Sequence, residues 1–242
     1  MDIGDVFMER FIREKMIIGD DAFYKINNSH IAVFGIGGVG SYVCEALARA
    51  GVGELTLVDN DIVSKSNINR QLVALSSTIG QYKTTVMKHR INDINPYISV
   101  NEIKKFYLPE NESDFPLDNY DYVIDCIDTV SAKLSLAERC TKSNIKIISS
   151  MGTGNKIHGE MLEIDDLYNT SVCPLARVMR RECNKRNIKK LKVLYSKEEP
   201  ITPFQMTTTE LKNNRIAPGS ISFVPSVAGL LIAGEVIRDL IY

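Results

Sequence analysis

Gly35-Ile36-Gly37-Gly38-Val39-Gly40 stands directly after a short apolar run, Ile31 to Phe34, and opens a stretch in which Val39, Val43, Ala46, Leu47 and Ala50 recur at helical spacing. Glycine lets a backbone close on a ligand, and the free N–H groups at a helix start attract anions, so a glycine turn in this setting suits phosphate. Asp59 ends the next apolar run, Leu55 to Val58, 24 residues after Gly35. A carboxylate at such a strand end can accept both hydroxyls of a ribose. Gly35, Gly37, Gly38, Gly40 and Asp59 thus form a candidate nucleotide site. The pattern alone fits dehydrogenases, methyltransferases and adenylating enzymes alike, and glycines of this kind can also serve only to pack helix against strand.

Positioning those residues requires an alternation of strands and helices, and the chain supplies one. Strands are predicted at Ile31 to Phe34, Leu55 to Val58, Tyr122 to Ile127 and Ile145 to Ser149, with helices from Val39 to Ala50, Lys83 to Ile94 and Ser131 to Lys142. Gly51 and Gly53 stop the first helix, and Asn95-Pro96 closes the second. Such a rhythm describes an α/β fold, a Rossmann-like and mostly parallel sheet with helices on both faces. Beyond Gly152, strands near Glu160 to Ile164, Leu191 to Tyr195 and Ser220 to Val224 are expected to extend one edge of that sheet in antiparallel fashion. Pro225 is expected to start a final helix, where its missing N–H is harmless. Lys197 to Pro218, with Pro200, Pro203 and three consecutive threonines, reads as a long loop.

The chain has 242 residues, 44% hydrophobic and 24% charged, with a net charge of −1. These values suit one globular domain over 1–242 and exclude disordered, collagen-like and coiled-coil architectures; the glycine turn and the change of rhythm beyond Gly152 divide it into an expected nucleotide-binding half (1–152) and substrate-facing half (153–242). Met1-Asp2-Ile3-Gly4-Asp5 is no secretory leader, so a cytoplasmic protein is expected. Val227 to Ile241 is apolar but interrupted by Glu235, Arg238 and Asp239. Peripheral membrane association stays open, whereas a bilayer span does not. Five cysteines (Cys44, Cys126, Cys140, Cys173, Cys183) include no C-x-x-C pair, which argues against a disulfide framework and against zinc. The charge is unevenly spread. Arg177 to Lys192 holds eight basic residues and one Glu, while Glu110, Glu112, Asp114, Asp118, Asp121 and Asp125 form an acidic run with no basic residue among them.

After the glycine turn come Asp59-Asn60-Asp61, Asn67-Ile68-Asn69-Arg70-Gln71, Lys83 and Asp125-Cys126-Ile127-Asp128. In order and spacing this resembles the ubiquitin-activating-type, ThiF-like adenylating enzymes, which carry Gly-x-Gly-Gly-x-Gly, Asp-x-Asp, Asn-x-x-Arg-Gln, a downstream lysine and a strand ending in aspartate. Arg10-Phe11-Ile12-Arg13 is similar to the family's N-terminal arginine motif, in which an arginine reaches the nucleotide of the other subunit of a dimer. The resemblance implies ATP as the nucleotide, a homodimer, and Asp61 and Asn67 as further nucleotide ligands. A triphosphate needs its charge neutralised as it is cleaved, and Arg70, Lys83 and Arg13 supply three cations. Asp128 can hold Mg²⁺ against the phosphates, since a hard cation prefers carboxylate oxygen. Each has a plainer role open to it: Asp128 as a helix cap, Lys83 as a helix-surface lysine, Arg13 as a solvated residue of an amphipathic helix, Asp61 as a residue that orders the turn.

Members that activate ubiquitin-like sulfur carriers usually carry two C-x-x-C pairs, absent here. The chain more closely resembles the tRNA-modifying branch, which dehydrates threonylcarbamoyladenosine beside the anticodon. That similarity extends over nearly the whole chain, including Ile147 to Gly152, Cys173-Pro174-Leu175-Ala176, Tyr195-Ser196 and Ser220 to Ser226. On a helix through the basic run, Val172, Leu175, Ala176, Met179 and Cys183 share one face, and Arg177, Arg180, Arg181 and Lys185 occupy the rest. A tRNA would use such cations for positioning through phosphate contacts; a merely solvated face is the alternative. The branch's chemistry implies an acyl adenylate on the substrate's carboxylate, closed by its own carbamoyl group without an enzyme nucleophile. Cys173 is accordingly expected to pack rather than react. Two rivals remain: activation of a sulfur-carrier protein, and a non-catalytic dimeric adaptor of the same fold.

Overall fold

The computed structural model describes residues 9–204, 211–212, 215–216 and 218–242. Helix α1 (Ile12–Asn27), broken at Gly19 where φ is +81°, leads into β1 (His30–Phe34). Then follow α2 (Gly40–Arg49), β2 (Glu54–Val58), α3 (Lys83–Ile94), β3 (Ser99–Ile103), β4 (Tyr122–Asp125), α4 (Val130–Lys142) and β5 (Lys146–Ser150). The remainder holds β6 (Leu162–Asp166), α5 (Pro174–Lys185), β7 (Lys192–Ser196) and α6 (Phe223–Ile241), preceded by the two-residue pair β8 (Leu211–Lys212) and β9 (Arg215–Ile216). The seven long strands form one sheet in the order β3-β2-β1-β4-β5-β7-β6, parallel except for the β6–β7 pair.

Alternation along each strand separates two layers. Ile31 and Val33 of β1, Leu55 and Leu57 of β2, and Tyr122 and Ile124 of β4 bury against α2, α3 and α6 through Val43, Leu47, Met87, Ile91, Ala228 and Ile232. The opposite side chains, Ala32, Phe34, Val58 and Val123, pack on Ala132, Leu136 and Cys140 of α4. Further along that face, Val193 and Tyr195 of β7 meet Ala176, Met179 and Cys183 of α5. A polar latch fastens the end of α6: Lys192 Nζ lies 2.7 Å from both Glu235 and Asp239, and the Tyr122 hydroxyl donates to Asp239 at 2.7 Å.

Register places the strand ends in a row. Phe34 pairs with Val58 and Asp125, and Asp125 with Ser149. From β1 the chain goes to β2 and β3 on one side and to β4 and β5 on the other, so the loops beyond Phe34 and Asp125 diverge. This is the switch point at which parallel sheets open a crevice.

The structure departs from the sequence reading in three places. β6 and β7 pair antiparallel as expected, but β7 lies parallel to β5, so β6 is the single antiparallel addition to the sheet. Ser220 to Val224 is no strand: α6 begins at Phe223, since Val224, Ala228, Ile232 and Val236 already keep helical spacing, and Pro225 sits in a first turn whose N–H groups lack acceptors anyway. Edge strand β3 went unforeseen, because in Ser99-Val100-Asn101-Glu102-Ile103 only Val100 is buried. Within the loop expected at 197–218, residues 205–210, 213, 214 and 217 lie outside the described residues. Among the described residues no helix is long and apolar enough to cross a membrane.

Candidate nucleotide-binding cleft

A cleft of about 540 Å³ opens at the switch point, lined by the loops after β1, β2, β3, β4 and β5 and by residues around 218–225. Its floor is the glycine turn. Gly35 adopts φ +91°, and a Cβ there would stand 2.7 Å from the carbonyl oxygen of Cys126. Gly37 and Gly38 line the cleft, whereas Gly40 sits behind it, where a Cβ would come within 1.8 Å of the Gly35 carbonyl. Of the four glycines expected to bind nucleotide, Gly40 thus serves to bring α2 against the turn.

Asp59 ties the turn to the end of β2. Its Oδ2 accepts the Ile36 N–H at 2.7 Å and its Oδ1 accepts the Asp61 N–H at 2.8 Å. Each oxygen retains lone-pair capacity for a ligand hydroxyl. Burial pushes this carboxyl above its ordinary pKa, and Lys83 opposes the shift. Lys83 is 5% exposed and is the first residue of α3, where a cation is disfavoured by the helix dipole. A surface role is thereby excluded for it. Its Nζ rests 2.7 Å from Asp61 Oδ2, so Asp61 both orders the turn and holds the lysine.

Arg70 borders the same cleft, its guanidinium steadied by the Ser66 carbonyl and Asn69 Oδ1, both at 2.9 Å. Asn67 also lines it, while its Oδ1 accepts the Ser64 N–H and closes the turn that presents Arg70. Asp128 stands across the cleft with an exposed carboxylate, just before Thr129, the N-cap of α4. Arg13 is exposed on α1 and does not line the cleft. Its neighbour Arg10 is held inward by the Ile94 carbonyl at 2.9 Å.

The basic helix is only partly as expected. α5 starts at Pro174, so Val172 precedes it, in left-handed backbone with φ +58°. Arg177 is exposed with no ion pair among the described residues. Arg180 instead folds back on Thr170, bonding its carbonyl at 2.8 Å and its hydroxyl, and so anchors the turn before α5. Arg181 and Lys185 converge on Glu182 Oε1 at 3.0 and 2.9 Å, with Arg186 beside them. Lys185, Arg181 and Arg186 together pull the Glu182 carboxyl down to about 2.

No described cysteine carries the marks of a nucleophile. Cys126 borders the cleft, but burial pushes its thiol up to about 12, and Cys140 and Cys183 are raised likewise. Cys173 is buried in the cluster under α5 with Ala176 and Met179.

Sequence reasoning missed two features. Gln71, 8% exposed, lines the cleft, and its Oε1 has no hydrogen-bond partner among the described residues. Lys133, inside α4, forms a buried cluster with Asp125 and Ser149. A lysine within the apolar stretch Ala132 to Ala137 was the available signal, since a buried ammonium requires partners.

A glycine turn at the switch point of a parallel sheet, a carboxylate hydrogen-bonded to that turn, and two fixed cations sharing the cleft with a second carboxylate, Asp128, define a nucleotide-binding α/β domain. The chain belongs to the ThiF family, whose model matches residues 11–241. It is 43% identical to a tRNA threonylcarbamoyladenosine dehydratase of Bacillus subtilis, with 97% of this chain and 95% of that protein covered. An Escherichia coli tRNA N6-threonylcarbamoyladenosine dehydratase solved in complex with ATP superposes with a TM-score of 0.88 at 30% identity, covering 99% of this chain and 97% of that one. The same Escherichia coli enzyme in complex with AMP gives 0.88 at 31% identity over the same shares.

Proposed function

We infer that this protein is an ATP-dependent enzyme that dehydrates threonylcarbamoyladenosine in tRNA to a cyclic side chain. The observation that carries the reading is the gathering of the glycine turn, Asp59, Arg70, Lys83 and Asp128 on one cleft, in a chain similar over nearly its full length to dehydratases of that substrate. The threonyl carboxylate attacks the α-phosphate of ATP, an O–P bond forms, and pyrophosphate leaves. An atom of the substrate's carbamoyl group then closes on the acyl carbon and loses its proton, and AMP departs with the carboxylate oxygen. The net change is loss of one water from the nucleoside.

Arg70 and Lys83 stabilise the charge that moves toward pyrophosphate, from positions already fixed by Ser66, Asn69 and Asp61. Holding carboxylate and phosphate in line is worth up to about 7–11 kcal/mol of barrier. No group of three His, Cys, Asp or Glu able to cage a metal occurs among the described residues. The Asp128 carboxylate on the cleft fits Mg²⁺, which is commonly held by one or two carboxylates together with phosphate oxygens and water. Bound there, the ion would offset phosphate charge.

The protein acts as a homodimer in which Arg13 serves the neighbouring site. What supports this is its exposed place on α1 beside Met16 and Ile17, 82% and 86% exposed, an apolar surface suited to burial by a second copy. Residues 1–152 bind the nucleotide and 153–242 face the tRNA, in the cytoplasm where the tRNA resides. The test is incubation with ATP and tRNA carrying threonylcarbamoyladenosine. Release of AMP and pyrophosphate, with a nucleoside lighter by one water, is the expected result. Adenylation of a protein tail in place of tRNA would establish the sulfur-carrier reading, and binding of ATP without turnover the adaptor reading.

A further inference from the structure

Lys133 is 1% exposed, in the first turn of α4, between Ala132 and Leu134. Taking an ammonium out of water is strongly unfavourable unless fixed partners replace its hydration. Here the three donors of the ammonium meet three acceptors: Asp125 Oδ2 at 3.1 Å, Ser149 Oγ at 3.3 Å and the Ser150 carbonyl at 2.7 Å. The Ser149 hydroxyl in turn donates to Asp125 Oδ2 at 2.5 Å. Asp125 and Ser149 are fully buried. An apolar side chain of similar size would fill such a place with no charge to desolvate, so what the cluster adds is geometry.

That geometry reaches two walls of the cleft. The second oxygen of Asp125 accepts the Ile127 N–H at 3.1 Å, which fixes the turn carrying Cys126, Ile127 and Asp128. The Cys126 carbonyl is the group against which Gly35 packs. Ser150, held from the other side, begins the wall that runs to Gly154. A single ammonium therefore sets the spacing between the Asp128 turn and the 150–154 wall without lining the cleft itself.

We propose that Lys133 is a positioning residue for adenylation, clamping the Asp128 turn to the end of β5 so that the two walls stand at a fixed separation around the reacting phosphate. The proposal rests on the reading of Asp128 as the carboxylate beside the phosphates. A misplacement of about 1 Å can reduce a rate about a hundredfold, so the effect belongs in kcat rather than in folding.

The test uses the double variant Lys133→Met/Asp125→Asn, which removes both charges and leaves no lone buried ion. Its melting temperature, its steady-state kinetics with ATP and modified tRNA, and its hydrogen exchange without nucleotide are measured beside Asp128→Ala. The expected result is a folded protein with kcat lowered ten- to a hundredfold and faster exchange in both 126–128 and 150–154. Asp128→Ala should lose turnover without faster exchange at 150–154. A folded double variant with kcat within twofold of the parent and parental exchange would overturn the proposal. If the double variant does not fold, Ser149→Ala, which removes one hydroxyl and no charge, carries the same requirement on kcat and on both segments. Full turnover in Asp128→Ala would refute the Asp128 reading alone, while the exchange data would still decide the clamp.

Discussion

Lys83→Met separates chemistry from folding most sharply. The change deletes a 5% exposed ammonium 2.7 Å from Asp61 Oδ2 and leaves an aliphatic chain of similar length. At an effective dielectric of 20 the attraction across that 2.7 Å is about 6 kcal/mol before screening. Asp61 is more than half exposed, so water screens the pair, and the lost attraction is offset by no longer burying a charge at the start of α3. The net change in stability should be about 1 kcal/mol or less, a shift of about 2–4 °C in Tm for a chain of this size. Turnover should fall about 10²–10³-fold, the usual loss when a fixed electrostatic contact to developing charge is removed. A second signature follows from Asp59. Burial already raises its pKa and Lys83 restrains the rise, so without Lys83 the pKa rises further. The acid limb of the residual pH–rate profile should therefore move to higher pH. The assay is pyrophosphate release with modified tRNA across pH, alongside thermal denaturation. Turnover within tenfold of the parent, or a Tm lowered by more than about 10 °C, would refute the argument, since by the scale above that loss exceeds 2 kcal/mol.

Three further outcomes are expected. Arg13→Ala and Asp128→Ala should each be folded and nearly inactive, and mixing them should restore about one quarter of parental turnover through heterodimers with one intact site; verified heterodimers without recovery would confine Arg13 to its own subunit. Replacing Arg177 and the exposed Lys189 and Lys190, which continue the basic run beyond α5, by glutamate should weaken tRNA binding and flatten its salt dependence with ATP affinity unchanged, whereas Arg180→Glu should chiefly lower Tm by freeing the Thr170 turn. Cys173→Ser should keep most turnover and iodoacetamide should inhibit the parent only weakly, and a trapped Cys173–substrate adduct seen by mass spectrometry would reverse the assignment of its role.

The nucleotide half was legible because its signals are local. Four buried strands, the glycine turn and the lysine opening α3 are each written within a dozen residues, and the parallel order follows from helices between them. The basic face was harder, since composition counts charges and not their partners: Arg180 reads as a cation but spends its donors on Thr170, and Glu182 sits within reach of three neighbours. Gln71 stood in the Asn-x-x-Arg-Gln motif without a role of its own, and Lys133 was passed over, because the partners that give each its significance lie in other segments of the chain. β6 and β7 pair antiparallel as expected, but that β7 runs alongside β5 in the same direction was not foreseen, because short apolar strands carry no mark of orientation. The start of α6 was displaced by weighting Pro225 above the helical spacing that Val224 already begins.

A sheet must end somewhere, and here it ends on β3 and β6, each with one flank of backbone N–H and C=O groups unpaired within the sheet. Such flanks are templates on which another chain can add a strand and begin aggregation. Both edges are five residues long and interrupted by polar side chains: Asn101 and Glu102 on β3, and Glu163, Asp165 and Asp166 on β6. Stacking a second edge on β6 would bring its carboxylates against their like, of which Glu163 alone is ion-paired among the described residues, to Lys197. The acidic edge thus works against runaway sheet extension, leaving strand addition there with like charges to overcome.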